Sequence, residues 1–246
     1  MLETKEDLYN GLIINPQSTY LENQNFKIAL LALIEKAKDD KKNLLWLDLT
    51  TEQFSQIATA LELGFEFHHC EAKRTTLTYQ VKVDAYIPVP PTHTIGAGGI
   101  VINQKNEILL VRDKIHTSNS IYKIPGGMLE EGNSLQEGVQ REVWEETGIK
   151  TKFIKMVSLL NSHPFMFNKS NMYIVFKLEP LTLDINIIDV DEIEKALWMP
   201  LEEFFSHPEM SEFQKDLVRA SFDNEGISLL ENTLSFANKK HIEVYA

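Results

Sequence analysis

The chain has 246 residues, 43% of them hydrophobic and 24% charged, which is enough apolar material for one large or two modest cores and excludes wholesale disorder. A formal net charge of −12 speaks against a nucleic-acid backbone or an anionic membrane as the main partner, because both attract basic surfaces. A small phosphorylated ligand stays open, since a bound divalent cation inverts the local field.

The single Cys70 excludes an intramolecular disulfide framework. The N-terminus is charged from the start and no stretch is long enough to span a bilayer, so a cytoplasmic, membrane-free setting is the expectation. Residues 25–42 place Phe26, Leu30, Leu33 and Ile34 at helical spacing. Residues 43–49 read as a buried strand, and residues 50–53 form a capping-box pattern that opens a second helix, closed by Gly64. Residues 65–72 and 74–81 read as two strands of a hairpin.

Pro88, Pro90 and Pro91 cannot continue a helix or a central strand, so residues 84–94 are expected to be an extended connector. The boundary is placed there: a smaller α/β domain over 1–90 and a second domain over 91–246. In the second, residues 94–103 and 106–113 are expected to pair across the turn residues Asn103 to Asn106. Further strands are expected over 152–160, 171–180 and 196–200, with helices over 201–205 and 210–222. A mixed sheet flanked by helices is the economical architecture.

Between these strands, Ser134 and Glu137 make a capping box and Gly148 a C-terminal stop, so a helix is expected from Ser134 to Gly148. On it Glu142, Glu145 and Glu146 stand at i, i+3 and i+4, a like-charge arrangement that costs roughly 0.2–0.5 kcal/mol per pair. Glu145 and Glu146 also lie in the last turn, where the helix macrodipole disfavours anions by about 0.3–1 kcal/mol each. Arg141 relieves part of this through Glu145. Leu135, Val139 and Val143 form the apolar stripe, and Glu142 and Glu146 fall on or beside it. Half-buried carboxylates need a partner, and a hard cation neutralises three at once. Oxygen-only ligands point to Mg²⁺ or Mn²⁺.

This stretch resembles the signature of the Nudix hydrolases. Gly127 opens it, and Arg141, Glu142, Val143, Glu145, Glu146, Gly148 and Ile149 fill its second part in register. Pro125 and Gly126 precede it, with Tyr122 where relatives often carry tryptophan, and Glu192, Ile193, Trp198, Met199, Pro200 and Leu201 extend the likeness downstream. The one departure is Asn133, in the place of the family's first glutamate. That residue mainly braces the loop and the helix arginine, so a weakened brace is expected and not an abolished metal site.

The resemblance implies an α/β/α sandwich that hydrolyses a nucleoside diphosphate linked to another group. It implies that Glu142, Glu145, Glu146 and the Gly126 carbonyl hold the cations, and that Arg141 orients the carboxylates. Glu145 is the member expected between metals, and Glu192 is the candidate general base, with a solvated loop acid as the alternative. Tyr122 could stack on a base and Arg112 could meet phosphate, each with a structural use as the alternative. Residues 43–103 are similar to the N-terminal region of a Nudix subgroup carrying an acetyltransferase-like pre-Nudix domain. Some plant relatives hydrolyse ADP-ribose and NADH, which makes those the leading substrates, giving AMP and a phosphorylated product. A homodimer is expected, and long RNA is not. The alternative is a degenerate module that binds a nucleotide or a protein without turnover.

Three other signals are discounted. His68, His69 and Cys70 alternate faces on a strand and cannot easily meet one ion. The glycines from Gly96 to Gly99 lie in a strand with no helix after it, so the dinucleotide fingerprint fails. Phe165 and Phe167, after His163 and Pro164, could line a substrate loop, with core packing as the expected use.

Overall fold

The computed structural model describes residues 2–115, 120–222 and 241–245. The chain divides into two compact units, Met1–Pro91 and Thr92–Ala246. Among the described residues no helix is long and apolar enough to cross a membrane.

The first unit begins with a strand pair absent from the sequence expectations, β1 (Thr4–Glu6) and β2 (Leu12–Ile14). Helix α1 (Asn23–Asp39) follows and buries Phe26, Leu30, Leu33 and Ile34, the residues whose spacing announces it. Strand β3 (Leu44–Thr50) ends in the Thr50–Gln53 capping box. The box opens a short 3₁₀ turn before α2 (Phe54–Glu62), and Gly64 at φ +92° ends that helix. Strands β4 (Glu66–Cys70) and β5 (Arg74–Gln80) form an antiparallel hairpin. The sheet order is β1-β2-β3-β5-β4, mixed because β2 and β3 run parallel.

In the second unit, β6 (His93–Val101), β8 (Gly126–Met128), β9 (Thr151–His163), β10 (Ser170–Pro180) and β12 (His241–Tyr245) form a five-stranded sheet in the order β12-β9-β10-β6-β8. Strands β6 and β10 run parallel and the other pairs antiparallel. Strand β7 (Glu107–Asp113) pairs with β11 (Ile193–Pro200) in a separate two-stranded sheet. This corrects the expected pairing of residues 94–103 with 106–113. The turn forms, with Asn106 at φ 59°, but only an isolated bridge, Ile102 to Ile108, survives beyond it. The edges of β6 are taken by β8 and β10, so β7 must leave the sheet.

Helix α3 (Leu135–Thr147) starts and stops where its caps say. The Ser134 hydroxyl accepts from Glu137 N–H, the Glu137 carboxylate accepts from Ser134 N–H, and Gly148 is left-handed at φ 74°. Helices α4 (Leu201–Ser206) and α5 (Glu212–Ala220) follow β11. Alternation along the strands sends side chains to two cores. Ala97, Val101 and Leu109 pack with Val139 and Val143 of α3. Ile100, Ile108 and Leu110 pack with Phe204 of α4 and Leu217 and Val218 of α5. Helices thus cover both sides of the strands, an α/β arrangement with mixed sheets.

Candidate active site

Helix α3 fixes three carboxylates at different depths. Glu146 is 3% exposed, and its Oε2 accepts the Gly126 N–H at 2.7 Å. Glu142 is half-buried beneath Gly127, where a Cβ would strike its carboxylate. Glu145 stays partly open to solvent, its side chain 34% exposed. Arg141 spans the outer pair: Nη1 lies 2.6 Å from Glu145 Oε2, and Nη2 lies 2.7 Å from Glu142 Oε1 and 3.3 Å from the Met128 carbonyl.

Burial pushes the Glu146 carboxyl up to about 8, against the opposing pull of Lys123 and the Gly126 N–H. Burial also raises Glu142, less so because Arg141 pulls it back. Two carboxylates therefore stand in a place that charges them reluctantly.

The structure adds two residues that sequence reasoning missed. Asp113, at the end of β7, has a carboxylate oxygen that lies within 4.8 Å of those of Glu146 and Glu192. Lys123 sits among these acids, its Nζ 3.0 Å from Asp113 Oδ1 and 3.7 Å from Glu146 Oε1. Burial lowers the lysine's proton affinity, but Glu146 and Asp113 outweigh it and the ammonium is held charged. Asp113 Oδ1 is buried and lacks a well-directed hydrogen bond, the Lys123 ammonium notwithstanding. The signal available was Lys123 itself, a charged residue between Tyr122 and Ile124, both buried.

Glu192 reaches the cluster because a register shift near the start of β11 sets Ile193 opposite Asp113, and the Glu192 carbonyl accepts the Lys114 N–H at 2.9 Å. Among the expected site residues, Glu146 and Glu192 meet beside Asp113, Gly126 binds Glu146, and Arg141 ties Glu142 to Glu145 on α3; neither Glu142 nor Glu145 joins the three-acid group. Tyr122 and Arg112 form a separate arrangement. Tyr122 is buried in the core, with the Arg112 guanidinium 5.8 Å and the Lys195 ammonium 5.9 Å from its ring centroid, and Arg112 pairs with Glu194 at 2.8 Å. A base reaches that ring only if these cations move.

Asn133 donates to Glu130 Oε2 at 3.2 Å, and Glu130 Oε1 lies 3.9 Å from Arg141 Nη1. Arg141 Nε is buried with no hydrogen-bond partner. An orphaned donor thus stands on the arginine that the departing glutamate would brace.

The facing rule fails at the histidines although Cys70 stays apart from them, and one of the two phenylalanines is not in the core. A register shift between Phe67 and His69 breaks the alternation, and the His68 and His69 Nδ1 atoms meet at 2.7 Å, while Cys70 turns to Thr75. Phe167 is 86% exposed at φ 54° and is not a core residue.

An all-oxygen donor set and a buried carboxylate that resists ionisation suit a hard divalent cation. A family profile described as NUDIX domain matches residues 92–220, and one described as Nudix hydrolase domain matches residues 2–81. The chain is 34% identical over 212 residues to Nudix hydrolase 8 of Arabidopsis thaliana, covering 85% of this chain and 57% of that protein. It is 32% identical over 240 residues to Nudix hydrolase 2 of the same plant, covering 94% of this chain and 86% of that one. Nucleoside diphosphate-linked moiety X motif 6 of Homo sapiens is 33% identical over 187 residues, with 74% and 58% covered. Among solved structures, the MutT protein from Methanosarcina mazei Go1 aligns at 26% identity with a TM-score of 0.45, over 56% of this chain and all of that one.

Proposed function

The chain belongs to the Nudix hydrolases, and from that premise we propose that it cleaves the pyrophosphate bond of a nucleoside diphosphate derivative, with ADP-ribose and NADH as the leading substrates. The products would be AMP and a phosphorylated remainder. The observation that carries the reading is Glu146, a carboxylate buried against Gly126 N–H with Glu142 and Glu145 on the same helix and Asp113 and Glu192 in reach.

Mg²⁺ or Mn²⁺ would be held by Glu142, Glu145, Glu146 and the Gly126 carbonyl, and would neutralise the diphosphate oxygens and lower the pKa of water. The protein's own parts then follow. Arg141 holds Glu142 and Glu145 in register, Asp113 holds Lys123 against Glu146, and Lys123 presents a positive charge where a phosphate arrives. Glu192 would accept a proton from the attacking water, which its closeness to Asp113 and Glu146 supports. Arg112 would meet a phosphate only on leaving Glu194, and Tyr122 contributes by supporting it.

The first unit is assigned to dimerisation or to shaping the substrate entrance; exposed Leu21, Ile28 and Leu31 support the former. Free, exposed Cys70 suits a reducing, cytoplasmic setting. Light scattering on the full chain decides the dimer.

The activity is tested on ADP-ribose, NADH, NAD, coenzyme A, diadenosine polyphosphates and capped RNA, with Mg²⁺, Mn²⁺ or chelator, beside Glu145→Gln. Metal-dependent turnover lost in the variant is the expected result. Tight binding without turnover would replace this reading with that of a binding module.

A further inference from the structure

The metal cluster leaves the glycine run of β6 unexplained. Its members face alternate sides of the sheet. Gly99 faces α3, where an added Cβ would press on Val143 at 2.7 Å and Leu178 at 2.8 Å. Gly96 and Gly98 face the ring of Tyr173, which stands opposite Gly96 across the parallel pair. A Cβ on Gly96 would lie 2.8 Å from that ring, and one on Gly98 would strike the hydroxyl. The ring therefore runs along β6 with its hydroxyl leading. That hydroxyl ends beside β8, where a Cβ on Gly126 would come within 2.9 Å of it. Gly126 is the residue whose N–H Glu146 accepts. Tyr173 and Glu146 thus converge on one backbone unit.

Packing against glycines asks only for a ring, and phenylalanine would serve. The hydroxyl has no hydrogen bond to any described residue, although Tyr173 is only partly exposed. The hydroxyl is not a sealed, unpaired atom but one that solvent reaches, so a ligand oxygen can take the place of its water. Gly126 N–H takes Glu146 Oε2 and Arg141 takes Glu142 Oε1, so these two oxygens already have donors.

We propose that the Tyr173 hydroxyl is a substrate-binding donor, which hydrogen-bonds a non-bridging oxygen of the diphosphate. The inference rests on the diphosphatase reading above. It makes the glycines of β6 a slot for the tyrosine that reads the substrate.

The test is Tyr173→Phe in the full chain, which keeps the ring in its slot and removes one oxygen. Binding of α,β-methylene-ADP with Mn²⁺ should weaken about tenfold, the scale of a hydrogen bond to a charged group. Adenosine affinity, Mn²⁺ affinity and melting temperature should stay unchanged, and kcat/KM should fall by the same factor. Unchanged methylene-ADP affinity, an equal loss for adenosine, or a loss of Mn²⁺ affinity would each overturn the assignment. If the unaltered protein turns over ADP-ribose and the variant matches it, only the tyrosine's role fails. If the unaltered protein neither cleaves substrate nor binds methylene-ADP, the diphosphatase reading falls and takes this inference with it.

Discussion

The two units treat buried polarity in opposite ways. The described part of the first unit buries no charged residue, and its buried amides answer one another. Gln53 Nε2 donates to Thr19 Oγ1 at 2.9 Å and to Gln56 Oε1 at 2.6 Å, and Gln56 Nε2 donates to the Leu21 carbonyl. The second unit buries Glu146 and Lys215, and among the described residues it holds the buried side-chain polar atoms left without a hydrogen bond, Arg112 Nε, Ser158 Oγ and Arg141 Nε included. Unmet polarity costs roughly 1–3 kcal/mol per group, so a unit that tolerates it keeps those groups for something else. The first unit answers its buried polarity internally; the second keeps polar groups that its own side chains do not answer.

The largest effects come from a matched pair of substitutions. Leu47→Ala removes a fully buried side chain of the first unit and should cost about 2–5 kcal/mol. The protein that stays folded should turn over substrate normally. Glu145→Gln should do the reverse: turnover falls more than about a hundredfold, beyond what supporting residues around metal sites typically cost. Its melting temperature in chelator should barely move, because the side chain is partly solvated. Urea melts and steady-state rates on both variants decide it. A melting temperature that collapses in Glu145→Gln would mean that the acids serve the fold.

Lys123→Met comes next. It leaves Asp113, Glu146 and Glu192 together without their internal cation. Turnover should fall about 10–100-fold, while Mn²⁺ binding, read by calorimetry, should tighten because a repelling charge has gone. Weaker Mn²⁺ binding would show that the lysine supports the cation cradle.

A smaller effect is graded with pH. Burial holds the Glu146 carboxyl protonated up to about pH 8 in the folded chain, well above the ordinary carboxylate range. A group raised on folding stabilises the metal-free protein fully below the unfolded pKa, and that contribution is lost as pH rises through the folded one. Melting temperature in chelator should therefore decline from pH 5 to pH 9. Magnesium affinity should move oppositely, weakening up to about tenfold per pH unit below 8, since the ligand must lose its proton first. Parallel trends with and without magnesium would remove Glu146 from the ligand set.

How much of this was legible depends on which physics was local. Caps and stripes within one element were readable, so α1, α3 and the Thr50–Gln53 box stand where spacing places them. Strand partners were not, because β7 was read from its turn and the competition for β6's edges is invisible along the chain. Asp113 and Lys123 escaped for the same reason: each belongs to the site only through a register shift or bridge to a distant strand. The two histidines escaped because one extra residue in a strand reverses the facing rule.

The smallest expected effect tests the brace on Arg141. The arginine already pairs with Glu142 and Glu145 through its terminal nitrogens, so the site keeps its geometry with Asn133. What remains unanswered is Nε, a buried donor whose desolvation nothing offsets. Asn133→Glu would offer it a carboxylate, at the cost of losing the amide bond to Glu130 and setting two acids side by side. Partial exposure at this position discounts the gain, and about 1 kcal/mol of stability is expected, or a rise of roughly 2–4 °C in melting temperature. Lysine lacks Nε, so the gain should vanish when Arg141→Lys is combined with it. A gain that survives in that background would come from the loop alone, and the arginine would need no brace beyond the two glutamates it already holds.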